Sequence, residues 1–437
     1  MEEQSQSEKK NKIKFQAPTG MHDLFGDDLL VIKKISDAAS YLADYYGFQQ
    51  MDTPIVEDIQ IYEKSTGMSS DIVEKEMYVL KTKGGDTLCL RPEFTPGVVR
   101  AYLQNGMFMQ PKPVKLFSVG PLFRYEKPQA GRYRQFHQFN FEMFGSKDPA
   151  LDAEMIQIFC AILEELKIKN IIVEINNIGC AQCRPYFRKT LVKYLKSKES
   201  LLSSESRERL KKNPLRILDS KDERDREVIA QAPQIVDYLC EDCHNHFKKV
   251  LEYLDQIGIP YRLNPYLVRG LDYYTKTVFE IIEEGKDQTS TSTLIGGGRY
   301  DNLIKSMGGP DTPALGGAGG IERIAERIKE QNKGKEIIKK QKIHLFLAPL
   351  GEAAKKATIG LIEDLRKENI RVFESVSKDS LKNQLSLASK LGIEYTLILG
   401  QREVLDGTAI IRNMKDCKQE VIKIEKVVKE LKKRLKK

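Results

Sequence analysis

The stretch FRYEKPQAGRYRQFHQFNFE, Phe123 to Glu142, decides how this chain folds. The pattern predicts two strands, Val114 to Tyr125 and Tyr133 to Phe144, joined by the basic loop Glu126 to Arg132 as an antiparallel pair. Alternate residues of a strand share a face. Phe136, Gln138, Asn140 and Glu142 therefore point one way, and His137, Phe139, Phe141 and Met143 the other. The second set reads as core. The first puts a ring, two amides and a carboxylate in a row, with Arg124 and Glu126 sharing a face of the partner strand and Arg132 and Arg134 nearby. Guanidinium groups match phosphate geometry, and an aromatic face can stack a base. The row thus reads as the floor of a ligand site; a polar sheet face open to water is the alternative.

On the N-terminal side, Leu29, Ile32, Ile35, Ala39, Leu42 and Tyr46 recur at helical steps. They predict an amphipathic helix from Asp27, capped by Asp27 or Asp28 and ended by Gly47. Phe48 to Pro54 and Leu88 to Arg91 read as short strands, the second running into Thr95-Pro96 as N-cap and first helical turn. On the C-terminal side, Asp152 to Leu166 is helical in pattern. From Cys180 to about Ile259 the chain is Lys/Glu/Leu-rich and reads as a helical insertion. Strand signals return at Pro260 to Leu267 and Thr277 to Glu283. A glycine-rich tract, Gly296 to Gly320, then leads into a helix, Ile321 to Ile328. The charged run after Gln331 reads as a linker. Beyond it strand and helix alternate (Ile343 to Ala348, Ala353 to Glu368, Arg371 to Glu374, Ser380 to Leu391, Tyr395 to Leu399), the order of a small α/β domain.

Composition limits the classes. The chain has 437 residues, 41% hydrophobic and 30% charged, enough for a packed core and roughly three domains. No apolar run approaches the roughly 18–20 residues of a membrane helix, and Met1 to Lys14 lacks the apolar stretch of a secretory signal, so a cytoplasmic protein is expected. Net charge is +9, and Val421 to Lys437 holds eight Lys/Arg against two Glu. That tail suits a polyanion such as nucleic acid, or is the solvated end of an amphipathic helix. No P-loop, zinc-protease helix or nucleophile elbow occurs.

Three further clusters carry chemistry-bearing residues. Leu267-Val-Arg-Gly-Leu-Asp-Tyr-Tyr274 sets an arginine and paired tyrosines beside a glycine, a pocket wall or a half-buried strand. Gly296-Gly-Gly-Arg-Tyr-Asp301 and Ala314-Leu-Gly-Gly-Ala-Gly-Gly-Ile-Glu-Arg323 offer close backbone approach to a ligand, or a tight turn and close helix packing.

With these pieces assembled, the chain resembles the histidyl-tRNA synthetases, a family of class II aminoacyl-tRNA synthetases, from about Lys14 onward. Pro18 to Asp23 resembles the family's opening segment. Asp27 to Pro54 resembles class II motif 1, Phe123 to Glu142 motif 2, and Ala314 to Arg323 motif 3. Leu267 to Tyr274 and Gly296 to Asp301 resemble the two histidine-specific signatures. The resemblance implies an α+β catalytic domain, an antiparallel sheet flanked by helices, with a helical insertion and a C-terminal α/β anticodon-binding domain. The expected boundaries are a flexible arm at 1–14, the catalytic domain at 15–179 and 261–330, the insertion at 180–260, a linker at 331–341 and the anticodon-binding domain at 342–437. It implies a homodimer formed through motif 1, and activation of L-histidine with Mg²⁺ and ATP before transfer to tRNA-His.

Residue by residue, the resemblance puts Arg124 and Arg269 beside the α-phosphate, Arg323 on the γ-phosphate and Arg132 on the phosphate tail. Glu126 and Tyr133 meet adenine and Phe136 stacks on it. Glu93, Thr95 and Gln138 hold the α-ammonium, with Phe94 beside them. Glu142 and Tyr274 read the imidazole, with Tyr273 and Tyr300 lining the pocket. Gln129 and Arg134 are candidates for the acceptor end of the tRNA. Three positions depart from the family pattern: Phe94 where glycine is usual, Asn140 where a small residue is common, and Lys378-Asp379 where Gly-Arg often stands. The non-catalytic synthetase-like subunit of ATP phosphoribosyltransferase generally lacks the C-terminal domain and the intact Arg-Gly-Leu-Asp-Tyr-Tyr run. A pure tRNA-binding module needs no histidine pocket.

Seven cysteines without a signal argue against a disulfide framework. Cys180-x-x-Cys183 and Cys240-x-x-Cys243 bracket the predicted insertion, 56 residues apart. If the pairs meet, four sulfurs form a structural zinc site that staples the insertion. Otherwise they are ordinary small apolar cysteines.

Overall fold

The structure, a computed structural model, describes residues 15–67, 70–129, 131–284, 292–333, 342–375 and 380–435. The expected arm at 1–14, residues 334–341 of the linker, and Lys378-Asp379 lie outside them. The chain divides into two compact units, 1–338 and 339–437.

In the first unit the strands are β1 (Gln49–Gln50), β2 (Val56–Asp58), β3 (Val79–Lys81), β4 (Thr87–Leu90), β5 (Val114–Phe123) and β6 (Gln135–Phe144). They continue with β7 (Ile171–Asn177), β8 (Tyr261–Leu263), β9 (Thr275–Glu283), β10 (Ser292–Arg299) and β11 (Ala314–Gly320). Eight of them form one sheet in the order β1-β5-β6-β11-β10-β9-β7-β8. The six-strand centre is antiparallel, but both edges pair in parallel, β1 with β5 and β8 with β7. The expected antiparallel sheet is present, with parallel pairing added at its two edges. β2, β4 and β3 form a separate three-stranded sheet.

The alternation in β6 holds. Phe139, Phe141 and Met143 are fully buried on one face, packed with the helices Gly26–Tyr45, Ala150–Glu165, Glu241–Gln256 and Ile321–Gln331. The opposite face is covered by Thr95–Gln104 and by the first helix of the insertion, Cys183–Ser197, through Val98, Phe187 and Leu191. The insertion is helical as expected, but its last helix, Glu241–Gln256, sends Phe247, Val250 and Leu254 into the core of the large sheet.

Several local readings change. The glycine-rich tract forms no turn at Gly296 or Gly316. It makes two paired strands, because β9 and β6 supply the flanking ladders and glycines let the strands lie close. Asp27 and Asp28 do not cap the first helix. They stand in its first turn, where carboxylates meet the positive end of the helix dipole. Thr95 is not an N-cap either; Phe94 holds that position and the Thr95 hydroxyl turns to Glu142. β5 stops at Phe123, so Arg124 and Glu126 leave the strand.

The second unit has five strands: β12 (Leu345–Pro349), β13 (Val372–Glu374), β14 (Tyr395–Leu399), β15 (Thr408–Asn413) and β16 (Gln419–Lys423). Their order is β13-β12-β14-β15-β16, parallel through the first three and antiparallel after. The basic tail becomes the helix Val427–Leu435. Val427 and Leu431 enter the core, while Lys432, Lys433 and Arg434 pair with Glu368, Glu430 and Glu420. Its charge is therefore partly answered within the unit.

One buried ion pair ties the core together. Arg299, 1% exposed, meets Asp152 with Nε at 2.8 Å and also donates to the carbonyls of Ser146 and Asp148 at 3.0 and 2.9 Å. His246 stands 3.2 Å from the same carboxylate. Removing one partner of a buried pair leaves the other charge uncompensated. Asp152→Ala should cost about 3–5 kcal/mol of stability, measured by urea denaturation; a loss below about 1 kcal/mol would contradict the role given to the pair.

Candidate active site

A cleft of about 410 Å³ opens over the sheet face that carries Phe136, Gln138 and Asn140. Glu93, Phe94 and Thr95 enter it from the start of the Thr95–Gln104 helix. Arg124, Glu126, Arg132 and Tyr133 come from the loop between β5 and β6. Arg269, Tyr273 and Tyr274 come from the segment before β9, and Arg323 from the first turn of Ile321–Gln331. Glu142 and Tyr300 are buried behind this lining. Gln129 and Arg134 do not line the cleft. Gln129 pairs with Arg132 through the backbone, and Arg134 stacks on Tyr125 at 3.9 Å while its Nε donates to the Glu126 carbonyl.

The arginines are held from behind. Arg124 Nε donates to the Pro92 carbonyl at 2.9 Å, and its guanidinium lies over Phe136 at 5.3 Å. Arg323 donates through Nη1 to the Thr293 carbonyl at 3.0 Å. Glu126 sits between Arg124 and Arg132, at 3.9 and 3.7 Å. Arg269 pairs with Glu280, which also accepts from Thr293 Oγ1 at 2.7 Å.

Glycine makes this placement possible. A Cβ at Gly296 would overlap the Arg269 guanidinium, and one at Gly316 would overlap the Glu142 carboxylate and stand 2.6 Å from the Phe141 carbonyl.

Two buried carboxyls mark the closed end. Burial pushes Glu93 up to about 7, against the pull of Arg124 and a hydrogen bond from Tyr273 Oη at 2.8 Å. Glu93 Oε1 is buried and has no partner among the described residues. Burial likewise pushes Glu142 up to about 8, although Thr95 and Asn140 hydrogen-bond to it and Tyr300 also donates to it. Tyr273, Tyr274 and Tyr300 form a ring cluster with centroids 4.7 to 6.2 Å apart. The departure at Asn140 thus has a partner in Glu142, and Phe94 is buried under the Arg91 guanidinium at 4.6 Å.

The sequence reading passed over Glu280, Thr293, Glu322 and Glu326. Glu280 was detectable as the one carboxylate inside the apolar run of β9. Glu326 accepts from Gly131 N at 2.9 Å and Tyr133 Oη at 3.3 Å, and Glu322 takes His137 N at 2.9 Å. These two anchor the β5–β6 loop and the start of β6 to the helix Ile321–Gln331, a contact across about 190 residues that no local pattern announces. The four cysteines do meet: all four sulfurs lie within 4.8 Å of one another.

A mostly antiparallel sheet with arginines and carboxylates converging on one face, followed by a separate α/β unit, defines a class II aminoacyl-tRNA synthetase. The histidyl-tRNA synthetase family profile matches residues 20–324, and an anticodon-binding domain profile matches 344–434. The histidine–tRNA ligase of Dehalococcoides mccartyi strain 195 is 43% identical, over 96% of this chain and all of that one. That of Aquifex aeolicus is 41% identical over 95% and 100%. The apo S. aureus histidyl-tRNA synthetase structure is similar at a TM-score of 0.78 and 31% identity, covering 96% of this chain and 100% of that one. The chain belongs to the histidyl-tRNA synthetase family.

The glycine argument has a direct check. Gly316→Ala should cost at least about 3 kcal/mol, because backbone as well as side chain must give way. Gly320→Ala, whose nearest neighbour would be Arg323 at 3.7 Å, should stay within about 1 kcal/mol of the parent. Equal denaturation midpoints for the two variants would contradict the packing described.

Proposed function

We propose that this chain is a histidine–tRNA ligase: it activates L-histidine with Mg²⁺-bound ATP to histidyl-adenylate and transfers the histidyl group to the 3′ end of tRNA-His. The observation that carries the reading is the unpartnered, buried Glu93 Oε1 in a cleft that also gathers Arg124, Arg269 and Arg323. One end of that cleft suits an ammonium and the other a chain of phosphates.

The histidine carboxylate attacks the α-phosphorus, a P–O bond forms, and the bond to pyrophosphate breaks. Negative charge spreads over the phosphoryl oxygens, and fixed cations stabilise it without covalent participation by the protein. Arg124 and Arg269 flank the α-phosphate, Arg323 holds the γ-phosphate, and Arg132 the tail. Adenine stacks on Phe136 beside Glu126 and Tyr133. Glu93, Thr95 and Gln138 take the α-ammonium. Glu142 and Tyr274 read the imidazole at the closed end, where Tyr273 and Tyr300 exclude water. A pocket built to hydrogen-bond a substrate group rejects analogues that lack it. Gln129 and Arg134, outside the cleft, serve the tRNA acceptor end. The zinc expected at the four cysteines has no part in the phosphoryl chemistry.

The enzyme works as a cytoplasmic homodimer. Tyr41 and Tyr45 of the Gly26–Tyr45 helix are exposed, which supports a second copy covering motif 1. No helix of the described residues is long and apolar enough to cross a membrane.

Pyrophosphate exchange should occur with L-histidine and with no other amino acid. Arg269→Ala should lower the rate two to three orders of magnitude, about 3–4 kcal/mol, in a folded protein. A folded parent that does not exchange with histidine would sink the reading.

Glu93 gives a pH test. Only the carboxylate form attracts an ammonium, so kcat/KM for histidine should rise as pH passes upward through about 7. Glu93→Gln should lower kcat/KM by roughly a hundredfold, as expected for a buried charge-assisted hydrogen bond, and lose that rise. Persistence of the rise in the variant would assign it to another group, Glu142 or the substrate imidazole, and not to Glu93.

A further inference from the structure

The four cysteines lie outside the cleft, and no step of the reaction uses them. Cys180 follows β7. Cys183 begins the helix Cys183–Ser197, Cys240 is the N-cap of Glu241–Gln256, and Cys243 lies in that helix's first turn. Two helix N-termini therefore meet at one point. Cys180 and Cys183 sulfurs are 3.6 Å apart, Cys180 and Cys240 3.8 Å, and Cys183 and Cys243 3.8 Å. Four sulfurs each about 2.3 Å from one tetrahedral ion stand about 3.8 Å from each other. A disulfide would need about 2.05 Å and would join only two of them.

The surroundings fit thiolates. Backbone N–H groups of Cys180 and Gln182 donate to the sulfurs of Cys183 and Cys180, at 3.1 and 3.3 Å. Arg184 and Lys276 lie within electrostatic range of the cluster, and cations are what a doubly negative zinc tetrathiolate calls for. Asn177 joins the two halves: its Oδ1 accepts from Gly179 N at 2.8 Å and its Nδ2 donates to the Cys243 carbonyl at 3.1 Å. Gly179, at φ +72°, leaves no room for a Cβ beside the Cys183 sulfur.

The cluster also backs the tyrosine pair. Arg184, next to Cys183, donates to the Tyr274 carbonyl and, through Nε, to the Ile178 carbonyl at 3.3 Å. Lys276 N donates to the Gly179 carbonyl at 2.9 Å, and Ile178 N to the Lys276 carbonyl at 2.8 Å. Tyr274 and the start of β9 are thus held on the segment that carries the first two cysteines.

We propose that Cys180, Cys183, Cys240 and Cys243 bind one structural zinc ion, and that this site, through Arg184 as a positioning residue, fixes Tyr273 and Tyr274 against the amino-acid pocket. The metal site rests on its own geometry; its coupling to histidine binding rests on the function proposed above.

The test uses the full chain purified without chelator from zinc-supplemented cells. Metal analysis should give about one zinc per chain. Protein reloaded with Co²⁺ should show the thiolate charge-transfer and visible bands of a tetrahedral sulfur site, and Cys180→Ser/Cys183→Ser should lose both metal and bands. The unmutated cobalt protein keeps the test decisive even if that variant does not fold. Arg184→Gln should keep the metal and raise KM for histidine roughly tenfold with kcat little changed, the signature of a shifted binding wall. Arg184→Lys should recover most of the loss. A folded parent with neither zinc nor a cobalt spectrum overturns the site. Arg184→Gln with an unchanged KM overturns the coupling. A parent that holds zinc but exchanges with no amino acid supports the metal site and refutes the histidine reading.

Discussion

Absent side chains on two strands set the depth of the cleft. β10 and β11 pair Gly296, Gly297 and Gly298 with Ala318, Gly317 and Gly316 in the middle of the sheet, where bulky residues would normally stand. Glycine weakens a strand by its entropy and by offering nothing to pack. Here the lost packing leaves space that Arg269 and Glu142 fill. The neighbouring ladders to β6 and β9 supply the order the glycines cannot. The arginine and the carboxylate thus sit at positions set by the backbone of the sheet, so flexible side chains make a rigid site.

Charge inside this site is answered by charge or by a hydrogen bond. Arg269 has Glu280, Arg132 and Arg124 have Glu126, and Glu142 has Asn140 and Tyr300. Such pairing keeps each group in place before a ligand arrives, which is the condition for electrostatic stabilisation without reorganisation. Glu93 is half-answered, with Tyr273 on one oxygen and no hydrogen-bond partner among the described residues on the other. Its raised pKa and its open acceptor are two results of one burial.

The row from Phe136 to Glu142 was legible because strand alternation is a local rule and its two faces differ so sharply in polarity. The glycine-rich tract was not, since glycine shows no face and β11 depends on a partner, β6, more than a hundred residues away. Thr95 was misplaced as a cap because the competing claim on its hydroxyl, Glu142, is a tertiary one. β15 and β16 went unnoticed: β16 is almost wholly exposed, so no apolar period marks it. The cysteine spacing marked the four sulfurs but could not say that the pairs meet, because helix directions decide that. In the C-terminal helix the amphipathic reading of the basic run holds: Val427 and Leu431 form its buried stripe.

The strand order also governs how the chain must be made. β6 pairs with β11, joining Phe144 to Ala314 and Gln138 to Gly320 at the centre of the sheet. While the ribosome adds the residues between them, at about 5–20 per second, the inner edge of β6 stays open for roughly 10–30 seconds. That edge carries Phe139 and Phe141, residues able to template pairing with another nascent chain. The strands that floor the cleft are therefore also the last seam of the large sheet to close, and until then its central edge is exposed to misassembly.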